Sequence, residues 1–169
     1  MFRNLVPDYA LPDIFAITPA MLRREGIRGV LVDLDGTMAS RKTKDPSPRV
    51  KKWIAALQRS GISVMAFSNN GSARVERFCR SMGLPYHSRA KKPFRAAFVL
   101  AAKKMNLPQH QIAVVGDQIY TDTLGGNRFG AKTFFVDSID HYAPHIWLRY
   151  QFERPFVLAG KHKTKRKVR

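Results

Sequence analysis

Apolar positions along the chain follow two rhythms. Short, mainly apolar runs at Gly29 to Val32, Ile62 to Phe67, Ile112 to Val115 and Lys132 to Val136 read as buried strands, with Pro85 to Ser88 a shorter candidate. Between them the apolar residues recur at helical spacing. Val50, Trp53, Ile54 and Leu57 line one face after the Ser47-Pro48 start signal, and Val75, Phe78, Cys79 and Met82 line another before Gly83. Phe94, Ala97, Phe98, Ala101 and Met105 make a third face, while Thr18-Pro19 opens a short helix that Gly26 closes. Strands alternating with helices of crossover length predict an α/β protein: a three-layer, doubly wound parallel sheet with right-handed connections.

Length is compatible with one domain, since 169 residues suffice for a substantial core. Met1 to Ile17 is broken by Pro7 and Pro12, so residues 1–28 read as a leader that packs on the core or on a membrane. The single cysteine, Cys79, excludes an internal disulfide and reads as a buried hydrophobe. Charge adds more: 30 Lys and Arg against 12 Asp and Glu give +18, which implies an anionic partner. The last nine residues, Lys161 to Arg169, hold six of the basic side chains and read as a disordered tail, leaving +12 for the body. Residues 138–160 form an aromatic and basic extension before it. No apolar stretch is long enough to span a membrane and no signal-peptide pattern is present, so a cytoplasmic location is expected.

The scarce acids fall in an uneven pattern. Asp33 and Asp35 follow the first strand two residues apart, and Asp117 and Asp122 follow the run Ile112 to Val115. The carboxyl ends of parallel strands are where ligands bind in such sheets. Carboxylates so close repel unless a cation lies among them, which points to a hard, oxygen-liganded metal such as Mg²⁺. Ser68 follows the second strand, and Lys92 precedes a helix whose first amides would face an anion. Taken singly, each has an ordinary alternative: a strand end with a turn, an N-cap, or a solvated charge. His87, His110, His141, His145 and His162 show no metal-ligand spacing and read as surface or structural residues.

Four elements in order resemble the motifs of the haloacid dehalogenase superfamily: Asp-Leu-Asp-Gly-Thr at Asp33 to Thr37, Ser68, Lys92 before Pro93, and Gly-Asp with a second Asp at Gly116 to Asp122. The resemblance covers 29–137 as a catalytic domain of Rossmann-like type. It implies that Asp33 is the nucleophile of an aspartyl-phosphate mechanism and Asp35 the general acid and base. Ser68 and Lys92 would hold the phosphoryl group, with Asn69 beside them. Mg²⁺ would bind Asp33, the Asp35 main-chain carbonyl and Asp117, and Asp122 would act from behind these groups. Gaps between the motifs leave no room for a substantial cap domain.

Further residues narrow the resemblance to the YqeG group of subfamily IIIA, itself similar to phosphatidylglycerophosphate phosphatases. They are Asp-Ile-Phe-Ala-Ile-Thr-Pro before the first strand, Ser-Asn-Asn at Ser68, Leu-Gly-Gly-Asn-Arg after Asp122 and Glu-Arg-Pro at Glu153. Gly36 departs from that group, which more often carries Asn there. A lipid phosphate substrate at the inner face of the membrane is thereby implied. The basic end and the run Ile146, Trp147, Leu148, Tyr150 and Phe152 could meet an anionic bilayer, or that run could pack on the sheet as a last helix. A phosphatase of soluble esters or nucleotides, and a nucleic-acid-binding protein using the same charge, are the other readings.

Overall fold

The computed structural model describes residues 2–71, 73–140 and 144–168. Six parallel strands form one sheet: β1 (Tyr9–Leu11), β2 (Gly29–Val32), β3 (Ser63–Phe67), β4 (Tyr86–His87), β5 (Ile112–Gly116) and β6 (Lys132–Val136). Their order across the sheet is β1-β6-β5-β2-β3-β4. The chain runs outward from β2 through β3 to β4, then returns to β5 on the other side of β2. That reversal makes β2 and β5 the switch point of the sheet, where their carboxyl ends open a crevice.

Helices cover both faces, as the expected doubly wound architecture requires. On one face α1 (Pro19–Arg24), α2 (Pro48–Arg59) and α3 (Ala73–Arg80) seal a core in which Val30, Val32, Val64, Trp53, Leu57 and Phe78 meet. The opposite face is closed by α4 (Arg95–Met105) and α5 (Leu124–Phe129), through Leu31, Met65, Phe67, Phe98 and Phe129. Thr18 and Ser47 cap their helices by accepting from the amides of Met21 and Val50. Cys79 is buried, as its position on the apolar face predicts.

Two segments differ from the sequence expectation. Tyr9–Leu11 is a sheet strand, pairing in parallel with β6 through Tyr9 opposite Phe134 and Leu11 opposite Val136. Between Pro7 and Pro12 a strand this short gives no local signal, and as an edge strand it tolerates both prolines. The second difference lies at the basic end. Residues 161–168 are not a disordered tail; they are the last turns of α6 (Pro144–Val168).

These turns pack where β1 would otherwise be an open edge. The Thr164 hydroxyl accepts from the Ala10 amide at 2.8 Å, supplying a partner that a neighbouring strand would have offered. Lys163 reaches Asp8 at 2.7 Å, and Lys167 lies 4.3 Å above the Tyr9 ring. Asp8 in turn accepts from the Thr133 amide, tying β1 to β6. Burial alone would raise the Asp8 carboxyl, but Lys163 and the Thr133 amide outweigh it and hold the group below its ordinary value. Deleting 161–169 should therefore lower the melting temperature by several degrees, which thermal unfolding of the truncated chain would measure. An unchanged melting point is the outcome for an unattached tail.

Candidate active site

Strand register brings the acids together. Val32 pairs with Ala66 on one side and Val115 on the other, so Asp33, Phe67-Ser68 and Gly116-Asp117 emerge side by side. The Asp33 amide donates to the Val115 carbonyl at 2.8 Å, extending the ladder by one bond. Gly36 then turns the backbone at a φ of 88°, and a Cβ there would lie 2.6 Å from Asp117 Oδ2. Asp117 thus sits against bare main chain. After β5 a π-helical turn, Ile119–Thr123, carries Asp122 back over the strand end. Gly116 makes room for it, since a Cβ there would meet the Asp122 carboxyl at 2.2 Å.

Lys92 is the centre of this arrangement. Its side chain is 2 % exposed, and its Nζ donates to Asp33 Oδ1 at 2.7 Å, Asp122 Oδ1 at 2.6 Å and the Phe67 carbonyl at 2.8 Å. All three ammonium protons are accounted for. Burial works against the charged amine, but Asp122 and Asp33 outweigh it and hold the group above its ordinary value. Burial raises the Asp122 carboxyl to about 7, with Lys92 opposing and the charges of Asp33 and Asp117 adding to the rise. Asp117 is raised too, first by burial and then by Asp33.

The remaining residues surround a cavity of about 290 Å³ lined by Asp33, Asp35, Arg41, Ser68, Asn70 and Lys92, among others. Ser68 is buried, and its hydroxyl accepts from the Asn70 amide at 3.0 Å. Asn69 lines the cavity but is already engaged: its Oδ1 accepts from the Lys92 amide at 2.7 Å, and its Nδ2 donates to the Lys92 carbonyl at 3.1 Å. Its contribution therefore runs through the placement of Lys92. Asp35 pairs with Arg74 and accepts from Asn70 Nδ2 at 3.1 Å. Thr37 Oγ1 donates to Asp117 Oδ1 at 3.4 Å.

Three groups escaped the sequence reading. Arg74 on α3 carries no motif signal, and Arg149 and Glu153 lie on α6, far along the chain from the acids they serve. Arg149 Nη2 is 3.2 Å from Asp117 Oδ2, and Glu153 Oε1 accepts from the Ile119 amide at 2.9 Å. The buried Glu153 was visible only as part of the Glu-Arg-Pro resemblance. Of the histidines, His87 contacts Lys104 Nζ at 3.2 Å, while His110 and His162 are exposed. His141 and the side chains of His145 and Ile146 lie outside the described residues.

One oxygen each from Asp33, Asp117 and Asp122 can be chosen within 4.8 Å of one another, all buried. Charge accounting supports a cation there. The linked carboxylates of Asp33, Asp35, Asp117, Asp122 and Glu153 face the three cations Lys92, Arg74 and Arg149. Burial raises Asp117, Asp122 and Glu153, so the cluster takes up either protons or a cation. An oxygen-only donor set suits a hard metal.

A family model described as haloacid dehalogenase-like hydrolase matches residues 9–130. The chain belongs to the haloacid dehalogenase-like hydrolases. Within that family it is 37 % identical over 159 residues to the probable phosphatase YqeG of Bacillus subtilis (strain 168), covering 94 % of this chain and 92 % of that one. It is 28 % identical to the chloroplastic phosphatidylglycerophosphate phosphatase 1 of Chlamydomonas reinhardtii, covering 79 % of this chain and 53 % of the relative, about half its length. In fold it resembles the cobalt-bound deoxy-D-mannose-octulosonate 8-phosphate phosphatase of Haemophilus influenzae, at 15 % identity and a TM-score of 0.53. That alignment covers 83 % of this chain and 92 % of the other. The family hydrolases share this Rossmann-like sheet, as the sequence motifs implied.

Proposed function

We propose that this hydrolase is a Mg²⁺-dependent phosphomonoesterase that acts through an aspartyl-phosphate on Asp33, with phosphatidylglycerophosphate at an anionic membrane surface as its substrate. That the chain is a phosphatase follows from its family and from 37 % identity to a probable phosphatase over nearly its whole length. The observation that carries the mechanism is the Lys92 ammonium fixed between Asp33 and Asp122 at the floor of the cavity. Nucleophile and phosphate-binding cation are then neighbours before substrate arrives.

Asp33 attacks phosphorus, forming the acyl phosphate as the bond to the leaving oxygen breaks. Asp35 gives that oxygen a proton. In the second half Asp35 takes a proton from water, which attacks phosphorus and releases phosphate and the Asp33 carboxylate. Arg74 and Asn70 hold the Asp35 carboxyl in place at the cavity wall. Ser68 holds a phosphoryl oxygen, and the Lys92 ammonium, whose three protons go to Asp33, Asp122 and the Phe67 carbonyl, supplies positive charge beside it, with Asn69 clamping the Lys92 backbone. Asp33, Asp117 and the Asp35 main-chain carbonyl would hold Mg²⁺, with Asp122 serving through Lys92. Bound there, the ion offsets the repulsion between an anionic nucleophile and an anionic phosphoryl group.

A lipid substrate is supported by what surrounds the site. Among the described residues no extra folded unit stands over the cavity: α2 fills the interval after β2, and α3, β4 and α4 fill the next. An apolar surface begins at Tyr120, whose hydroxyl bonds the Phe152 carbonyl, and continues along the outer face of α6 through Trp147, Leu148, Phe152 and Leu158. His162, Lys165 and Arg166 follow on that face, also exposed. Apolar side chains ahead of cations suit an anionic bilayer. No helix of the described residues is long and apolar enough to cross a membrane.

Phosphate release from phosphatidylglycerophosphate in anionic vesicles, beside soluble sugar phosphates, nucleotides and p-nitrophenyl phosphate, tests the assignment. The expected result is Mg²⁺-dependent turnover that favours the lipid by at least tenfold. Equal turnover of soluble esters without any vesicle effect removes the lipid and keeps the phosphatase. Salt-sensitive binding of RNA with no esterase activity favours the nucleic-acid reading.

A further inference from the structure

The family match ends at residue 130, yet α6 reaches back into the acidic cluster. Arg149 and Glu153 stand one turn apart on α6, with Arg149 Nε 3.4 Å from Glu153 Oε2. The guanidinium's other end lies 3.2 Å from Asp117 Oδ2, and Glu153 Oε1 accepts from the Ile119 amide two residues beyond Asp117. The Glu153 side chain is fully buried. As packing alone, this pair is a poor choice: burying a carboxylate costs several kcal/mol, and an apolar residue would seal α6 more cheaply. Its geometry instead braces Asp117 from two directions, through its carboxylate and through the backbone turn that follows it.

We infer that Arg149 is a positioning residue for the cation-binding carboxylate Asp117, with Glu153 as its anchor, so that α6 completes the metal site. This rests on the divalent-cation reading above. The guanidinium occupies one Asp117 oxygen and fixes the plane of the carboxylate, while Thr37 meets the other oxygen at 3.4 Å. Without Arg149 the carboxylate keeps the neutral donors Thr37 and Ser138 but loses its charged partner, so its plane is held less firmly. A like charge near a divalent cation also repels it, so removing Arg149 has two opposed effects on binding. The proposal states that orientation outweighs repulsion.

Calorimetric titration of the full chain with Mg²⁺ and Mn²⁺, without substrate, separates them. Arg149→Met is expected to weaken cation binding by tenfold or more, in the range usual for groups that orient metal ligands. Glu153→Gln keeps an acceptor for the Ile119 amide but loses the charge that holds Arg149, and should give a smaller loss in the same direction. Arg149→Lys, which cannot bridge both carboxylates, should restore only part of the affinity. Circular dichroism at the titration temperature establishes that each variant is folded. Unchanged or tighter binding in folded Arg149→Met overturns the proposal, leaving Arg149 as packing or as a mere like charge. Failure of the unaltered protein to bind either ion overturns the metal reading itself, and the inference with it.

Discussion

Replacing Asp33 by asparagine should abolish phosphate release while leaving the protein folded. The substitution keeps shape and an oxygen that can still accept from Lys92, but the amide is no nucleophile toward phosphorus. Removing one carboxylate from the cluster also relieves repulsion, because the Asp33 charge helps to raise both Asp117 and Asp122. The melting temperature should hold or rise slightly. Turnover should fall by about 10³-fold or more, the scale seen when a covalent nucleophile is lost. Acid-quenched unaltered enzyme should carry one phosphoryl group on the peptide containing Asp33, and the variant none. Full metal-dependent activity in Asp33→Asn would refute the covalent mechanism and leave the fold untouched.

Lys92→Met should damage both stability and activity. Methionine fills a similar volume, so packing around Phe67 is nearly conserved, yet Asp33 and Asp122 lose the cation between them. Leaving buried carboxylates without that partner costs about 3–5 kcal/mol. The pH dependence has a definite sign. With Lys92 gone, the Asp122 carboxyl, already raised to about 7 by burial, loses the cation that opposes the rise and climbs further, so the penalty grows with pH and fades as protons bind. The carboxyls of the two unfolded chains titrate alike and cancel, so the deficit against the unaltered protein should grow as pH rises through about 7, where Asp122 ionises beside Lys92 but not in the variant, and shrink below it. Denaturant unfolding at several pH values measures it. A deficit that does not vary with pH, or none at all, would mean that Lys92 is not the buried counter-charge.

How far the chain could be read depended on whether a segment's partners were local. The runs around Val30, Val64 and Val114 were legible because a central parallel strand is apolar throughout, and the acids after them stood out against a basic chain. Tyr9–Leu11 was illegible because its strand character comes from β6 on one edge and Thr164 on the other. The lysine-rich end looked solvated for a similar reason. Its counter-charges, Asp8 and Glu25, lie at the other end of the sequence, and its long side chains bury their stems along Tyr9 while their amines stay near acids. Motif spacing led to Asp33, Ser68, Lys92 and Asp117 directly. It gave no route to Arg74 or Arg149, since a lone arginine on a helix carries no signal until the fold shows which carboxylate it faces.

The hydrogen bond from Ala10 to Thr164 joins residues 154 positions apart. A chain emerging from the ribosome presents Ala10 early and Thr164 late, so β1 spends most of synthesis as an unsealed sheet edge beside β6 or without β6 at all. The sheet between β2 and β5 can assemble from segments already made, whereas the edge closes only once α6 is released. During that interval β1 is the strand open to pairing with another chain, which makes α6 the guard against intermolecular association during translation as well as a wall of the finished protein.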